Sequence, residues 1–119
     1  MLNLDTHILI HAVGNLLSNS ERRILAAHDW GISDIVLWEI EMLYLRGRIR
    51  YGLDHAPLIE TLRRVRIWPI TPEVCLNLRR LDFHSDPADQ IIAATSLAHN
   101  VPLVTRDSKI RGSKLVPFA

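Results

Sequence analysis

Four acidic residues of this 119-residue chain stand close to apolar segments: Asp5 after Leu2 and Leu4, Glu39 between Trp38 and Ile40, Asp89 before Ile91 and Ile92, and Asp107 after Leu103 and Val104. Gathered in one place, such carboxylates disfavour one another's ionisation. A divalent cation resolves that conflict, because hard ions such as Mg²⁺ take oxygen ligands and are held by a few carboxylates together with a substrate phosphate. The chemistry this pattern offers is metal-assisted attack on a phosphate ester. Most of these acids also have a purely structural reading. Asp86 and Asp89, three residues apart, have the spacing of a reciprocal helix cap, Asp5 can cap a following helix, and Glu39 can be a half-exposed helix residue.

Other reactive side chains give weaker patterns. His7 and His11 lie four apart and would share a helix face, yet no glutamate stands between them and no third zinc ligand is evident. His84 reads as a loop side chain at the edge of a site. Thr6 and Thr105, beside Asp5 and Asp107, are placed to support carboxylates by hydrogen bonds. The single cysteine, Cys75, excludes an internal disulfide and a cysteine-based zinc site, and its neighbours Val74, Leu76 and Leu78 predict a buried structural thiol.

Charge distribution says more than the net value of +1. The basic residues come in clumps: Arg22 and Arg23; Arg46, Arg48 and Arg50; Arg63, Arg64 and Arg66; Arg79 and Arg80; and Arg106, Lys109, Arg111 and Lys114. Twelve of the fourteen are arginine, the better bidentate partner for phosphate. With Asp5, Glu39, Asp86, Asp89 and Asp107 set aside, the remainder carries a formal charge of +6. An acidic pit in a basic surround suits a nuclease, although any single clump taken alone reads first as a solvated helix face.

The elements that must position these groups follow from apolar spacing. Met1 to Asp5 is a short strand, followed by a helix with Ile8, Leu9, Ala12 and Val13 on one face. Ser20 and Glu21 start a second helix, and Gly31 to Asp34 is a strand or turn. A longer helix runs from about Asp34 to Gly47, with Ile35, Trp38, Met42 and Leu45 as its inward stripe. Tyr51 to Asp54 is a loop, His55 to Val65 a helix with Leu58, Ile59 and Leu62 inward, and Ile67 to Ile70 a strand. Pro72 opens a helix through Val74, Leu78 and Leu81. Asp86-Pro87-Ala88-Asp89 opens the next, which carries Ile91 to Ala98 and closes near Asn100. Val101 to Thr105 is a strand, and Leu115 to Phe118 a candidate last one. Short apolar strands alternating with helices predict a single α/β domain over residues 1–119, with a parallel sheet flanked by helices on both faces. Asp5 and Asp107 then fall at the carboxyl ends of strands, where such sheets bind ligands. The 48% hydrophobic content includes no apolar run long enough to span a membrane and no secretory leader pattern, so a cytoplasmic protein is expected.

Leu4 to Ile10 (LDTHILI), Leu37 to Leu43 (LWEIEML) and Asp86 to Asp107 (DPADQIIAATSLAHNVPLVTRD) resemble, in order, the motifs of PIN-domain proteins, especially VapC-type toxins. The third segment is the specific one. The resemblance implies a metal-dependent endoribonuclease using Mg²⁺ or Mn²⁺, with metal-binding acids at Asp5, Glu39, Asp89 and Asp107 and an accessory acid at Asp86. It also implies an RNA substrate, a cognate antitoxin and a homodimer. Two positions depart from the family's pattern: Gln90 stands where many relatives have arginine, and Val36 where a serine or threonine often precedes the Trp-Glu pair. Two alternatives sit beside this reading. One is a catalytically silent PIN-like module that binds RNA or protein. The other is an aspartyl-phosphate phosphatase, which wants a second aspartate where this chain has His7.

Overall fold

Each strand of the computed structural model, which describes residues 1–119, is two to four residues long, and all but the edge strand over Arg66–Trp68, where only Trp68 is buried, are mostly buried. β1 (Leu2–Leu4), β2 (Trp30–Ser33), β3 (Arg66–Trp68) and β4 (Leu103–Val104) form one parallel sheet in the order β3-β2-β1-β4. All three residues of β1 are buried. Successive side chains of a strand point to opposite faces, so this sheet is covered on both, as expected for a parallel one.

Seven α-helices surround it: α1 (Thr6–Val13), α2 (Asn19–Ala26), α3 (Ile35–Leu45), α4 (Ala56–Leu62), α5 (Pro72–Asn77), α6 (Pro87–His99) and α7 (Ser108–Arg111). Their ends follow local chemistry. Ser18 and Glu21 form a reciprocal capping box on α2, Thr71 caps α5, and Asn100 closes α6 in the left-handed region at φ 52°. Leu2, Leu4, Ile32, Val36, Ile40, Ile92 and Leu103 form the centre of the core. Asn3 is the polar exception on β1. Its buried Nδ2 donates to the Ile92 carbonyl and to Ser96 Oγ, both at 2.9 Å, which fixes α6 against the sheet. No helix is long and apolar enough to cross a membrane.

Several sequence expectations are corrected. Trp38 and Leu45 are exposed, and α3 buries Val36 and Ile40 instead. This helix is apolar nearly all round, so helical spacing fits either stripe and the packing of neighbours decides. Cys75 is exposed, because the short α5 turns only Val74 fully inward. The helix expected through Leu81 stops at Asn77 and tightens into a 3-10 turn over Leu78–Arg80. The segment 115–118 contributes only a single parallel bridge, Phe118 to Leu103, beyond β4. Four further elements are shorter than expected: β1 spans Leu2–Leu4, α4 Ala56–Leu62, β3 Arg66–Trp68 and β4 Leu103–Val104.

The order of the strands locates the functional region. The chain moves outward from β1 to β2 to β3, then returns to lay β4 on the other side of β1. That reversal opens a crevice beyond the carboxyl ends of β1 and β4, the position at which open α/β sheets bind ligands.

Candidate metal centre

Asp5 leaves β1 at this crevice and is 3% exposed. Its Oδ1 accepts from the Thr6 amide at 2.8 Å, capping α1, and its Oδ2 accepts from Thr105 Oγ1 at 2.6 Å. Glu39, half-buried on α3, is reached by the Thr6 hydroxyl, which donates to its Oε1. Asp89 lies in the first turn of α6, where Ser85 Oγ donates to its Oδ2 at 2.7 Å. One carboxylate oxygen from each of Asp5, Glu39 and Asp89 falls within 4.8 Å of the others. Three separate elements therefore converge on one point.

Asp107 stands at the edge of this group. It caps α7, with Oδ1 accepting from the amides of Lys109 at 2.8 Å and Ile110 at 3.2 Å, and its charge is felt at both Asp5 and Asp89. Asp86 is exposed and makes no capping bond; it acts on Asp89 through its charge. The reciprocal cap open to Asp86 and Asp89 in the sequence is not formed, since Asp89 is held by Ser85. Both threonines support carboxylates, Thr6 by bridging to Glu39 rather than to its neighbour's acid.

The energetics of the cluster are those of crowded anions. Burial raises the carboxyls of Asp5, Glu39 and Asp89 above their ordinary range. Hydrogen bonds from Thr105, Thr6 and Ser85 offset part of this, while the charges of the neighbouring acids push further upward. No lysine or arginine forms an ion pair with any of the three.

Ser85 and the Arg106–Glu21 pair escaped the sequence reading. Ser85 adjoins the acidic segment and its type was a usable signal. Arg106 donates through Nε and Nη2 to Glu21 at 2.8 and 2.6 Å. That pairing spans 85 residues and has no local signature. It holds the Glu21 carboxyl down at about 2.

The PIN domain family matches residues 3–112. The chain belongs to the PIN domain family. Among its relatives, this PIN domain is 27% identical to Ribonuclease VapC22 of Mycobacterium tuberculosis over 93% of this chain and 90% of that protein. Its fold is similar to that in the crystal structure of VapBC2 from Rickettsia felis bound to a promoter DNA fragment, with TM-score 0.78, 21% identity and coverage of 100% and 98% of the two chains. A toxin–antitoxin complex from Klebsiella pneumoniae gives TM-score 0.72 at 20% identity, covering 100% and 97%.

The donor set of this PIN domain fits a hard divalent cation. Its converging ligands are oxygens, they repel one another without a counterion, and each is pre-aimed by a hydroxyl or amide donor. His7 and His11 lie outside the converging group, so a zinc site on the histidine pair has no support here.

Proposed function

We propose that this chain is a Mg²⁺- or Mn²⁺-dependent endoribonuclease and the toxin of a toxin–antitoxin pair. The observation that carries the reading is the convergence of the Asp5, Glu39 and Asp89 oxygens within 4.8 Å at the sheet's reversal point. Membership of the PIN family, a relative named as a ribonuclease and similar folds in toxin–antitoxin complexes support it.

Asp5, Glu39 and Asp89 would hold the cation, with Asp107 on the same rim and Asp86 adding negative charge. When bound, such an ion supplies activation of a water and neutralisation of charge at the phosphoryl group. The protein's own contribution is orientation. Thr105 fixes Asp5, Thr6 fixes Glu39 and Ser85 fixes Asp89, so the carboxylates need little rearrangement to act together. Water adds to phosphorus, the bond to one bridging oxygen breaks, and the leaving oxygen takes a proton, giving two shorter RNA strands. Exposed arginines hold the flanking phosphates.

A protein partner is part of the same reading. Trp38, Tyr44 and Leu45 of α3 are 52%, 42% and 67% exposed, an apolar surface of the kind that an antitoxin or a second copy of the chain covers. The deciding experiment is incubation of purified protein with RNA, with manganese or with chelator, beside Asp89→Asn. Manganese-dependent cleavage lost in the variant supports the reading. Equal cleavage in excess chelator overturns it.

A further inference from the structure

Beside the carboxylates lies a pocket of about 260 Å³ lined by Asp5, His7, His11, Arg106 and Asp107, with no apolar side chain in its wall. An apolar ligand is thereby excluded. Asp5 is the only one of these residues in the converging carboxylate group, and three of the other four, His7, His11 and Arg106, carry hydrogen-bond donors.

His7 and His11 lie one turn apart on α1, their ring centroids 6.5 Å apart, while Ile8 and Leu9 of the same helix are fully buried. The core thus fixes the direction in which the imidazoles face. A histidine ring offers at least one N–H in either protonation state. In His11, Nδ1 is buried without a partner. An unpaired lone pair is tolerated in the interior better than an unpaired N–H, which leaves Nε2 to carry the proton and donate. Arg106 completes the donor wall. Its Nε and Nη2 are occupied by Glu21, and Nη2 also donates to the Leu16 carbonyl at 3.2 Å, so the guanidinium is held in place with Nη1 unengaged.

We infer that His7, His11 and Arg106 form a subsite for an RNA backbone phosphate adjacent to the one cleaved; the inference rests on the nuclease reading. A phosphodiester offers two non-bridging oxygens and one negative charge, which two imidazole N–H groups and the unengaged Nη1 of Arg106 satisfy from different directions. Asp5 and Asp107, in the same lining, repel that charge. The subsite therefore fills only when a divalent cation offsets them, and by linkage phosphate and cation strengthen each other's binding equally.

The test reads binding rather than turnover. A short fluorescein-labelled RNA is titrated in calcium, used in place of manganese to hold back cleavage, and again in chelator. The double variant His7→Ala, His11→Ala is expected to lose at least about tenfold in RNA affinity in calcium, since each of the two donors it removes is worth about that much as a hydrogen bond to a charged group. In chelator the loss should be small. Its calcium-induced melting shift should match that of the wild type, showing the carboxylates intact. In the wild type, the imidazole nitrogen resonances of His7 and His11 should move on adding RNA while those of His28 and His99 do not, a readout that stands even if the variant fails to fold. Inorganic phosphate should move them only at far higher concentration; an equal response to free phosphate overturns the RNA assignment. Unchanged affinity with silent His7 and His11 resonances, in a protein that still cleaves RNA with manganese, overturns the subsite and leaves the nuclease reading standing. A wild type that neither binds nor cleaves RNA overturns both.

Discussion

Thr105 Oγ1 donates to Asp5 Oδ2 at 2.6 Å across 100 residues of sequence, and the same oxygen accepts from the Asp107 amide at 3.0 Å. One hydroxyl thus couples the end of β1 to the end of β4 at the point where the sheet reverses. Thr105→Val keeps the shape and removes the donor, leaving a buried carboxylate oxygen unpaired at a cost of about 1–3 kcal/mol. Urea denaturation should show that loss together with weaker manganese binding, and Thr105→Ser should restore both. A valine variant with wild-type stability and metal affinity would show that the bond is dispensable.

Asp89→Asn should separate repulsion from support. The amide oxygen can still accept from Ser85, while one charge leaves the crowded group, so the metal-free protein should melt at the wild-type temperature or higher. A ligand bound only to the folded state adds about 2.7 kcal/mol at a hundredfold excess over Kd. Wild type should gain that stabilisation from manganese and the variant clearly less. A variant that melts lower without metal yet shows the full manganese shift would remove Asp89 from the metal site.

The pH dependence of the metal-free protein has a definite sign. Asp5, Glu39 and Asp89 hold protons more readily in the folded state than their ordinary values of 3.8 for aspartate and 4.5 for glutamate allow. Their contribution is fully present below those values and is lost as pH rises through the raised ones. Glu21, held at about 2 by Arg106, acts in the opposite sense: its contribution is present above 4.5 and is lost as pH falls toward 2. Metal-free stability from the triad should therefore decline from about pH 4 upward, and Glu39→Gln should flatten that decline. Saturating manganese should flatten it as well, because the cation replaces the protons. The check is a series of melting curves across pH; a decline untouched by Glu39→Gln would contradict the assignment.

Arg46, Arg48 and Arg50 are all exposed. Tyr51, which ends that run, donates to the Ile10 carbonyl at 3.2 Å and stacks on His55, tying it to α1, the helix that Asp5 caps. Replacing the three arginines with glutamine should weaken RNA binding and flatten the plot of log affinity against log salt, by about 0.7 for each single-strand phosphate that is no longer neutralised. An unchanged slope would return the clump to an ordinary solvated face.

What the sequence determined by itself was whatever depends on neighbours in the chain. Strand and helix order followed from short apolar runs and capping residues, and the position of Asp5, Asp89 and Asp107 at element ends followed from that order. The DPAD segment and its sequel were specific enough to name the family. Tertiary structure decided the rest. α3 is apolar nearly all round, so only the packing of α1, α6 and β2 against it could bury Val36 and Ile40 and turn Trp38 and Leu45 outward. Cys75 had apolar neighbours on a helix too short to bury more than Val74. The donors that aim the acids include Thr105 to Asp5, 100 residues apart, and Thr6 to Glu39, 33 apart. Pairings of that kind leave no periodic trace, because they are made by the return of β4 to the far side of β1 and not by any local preference of the chain.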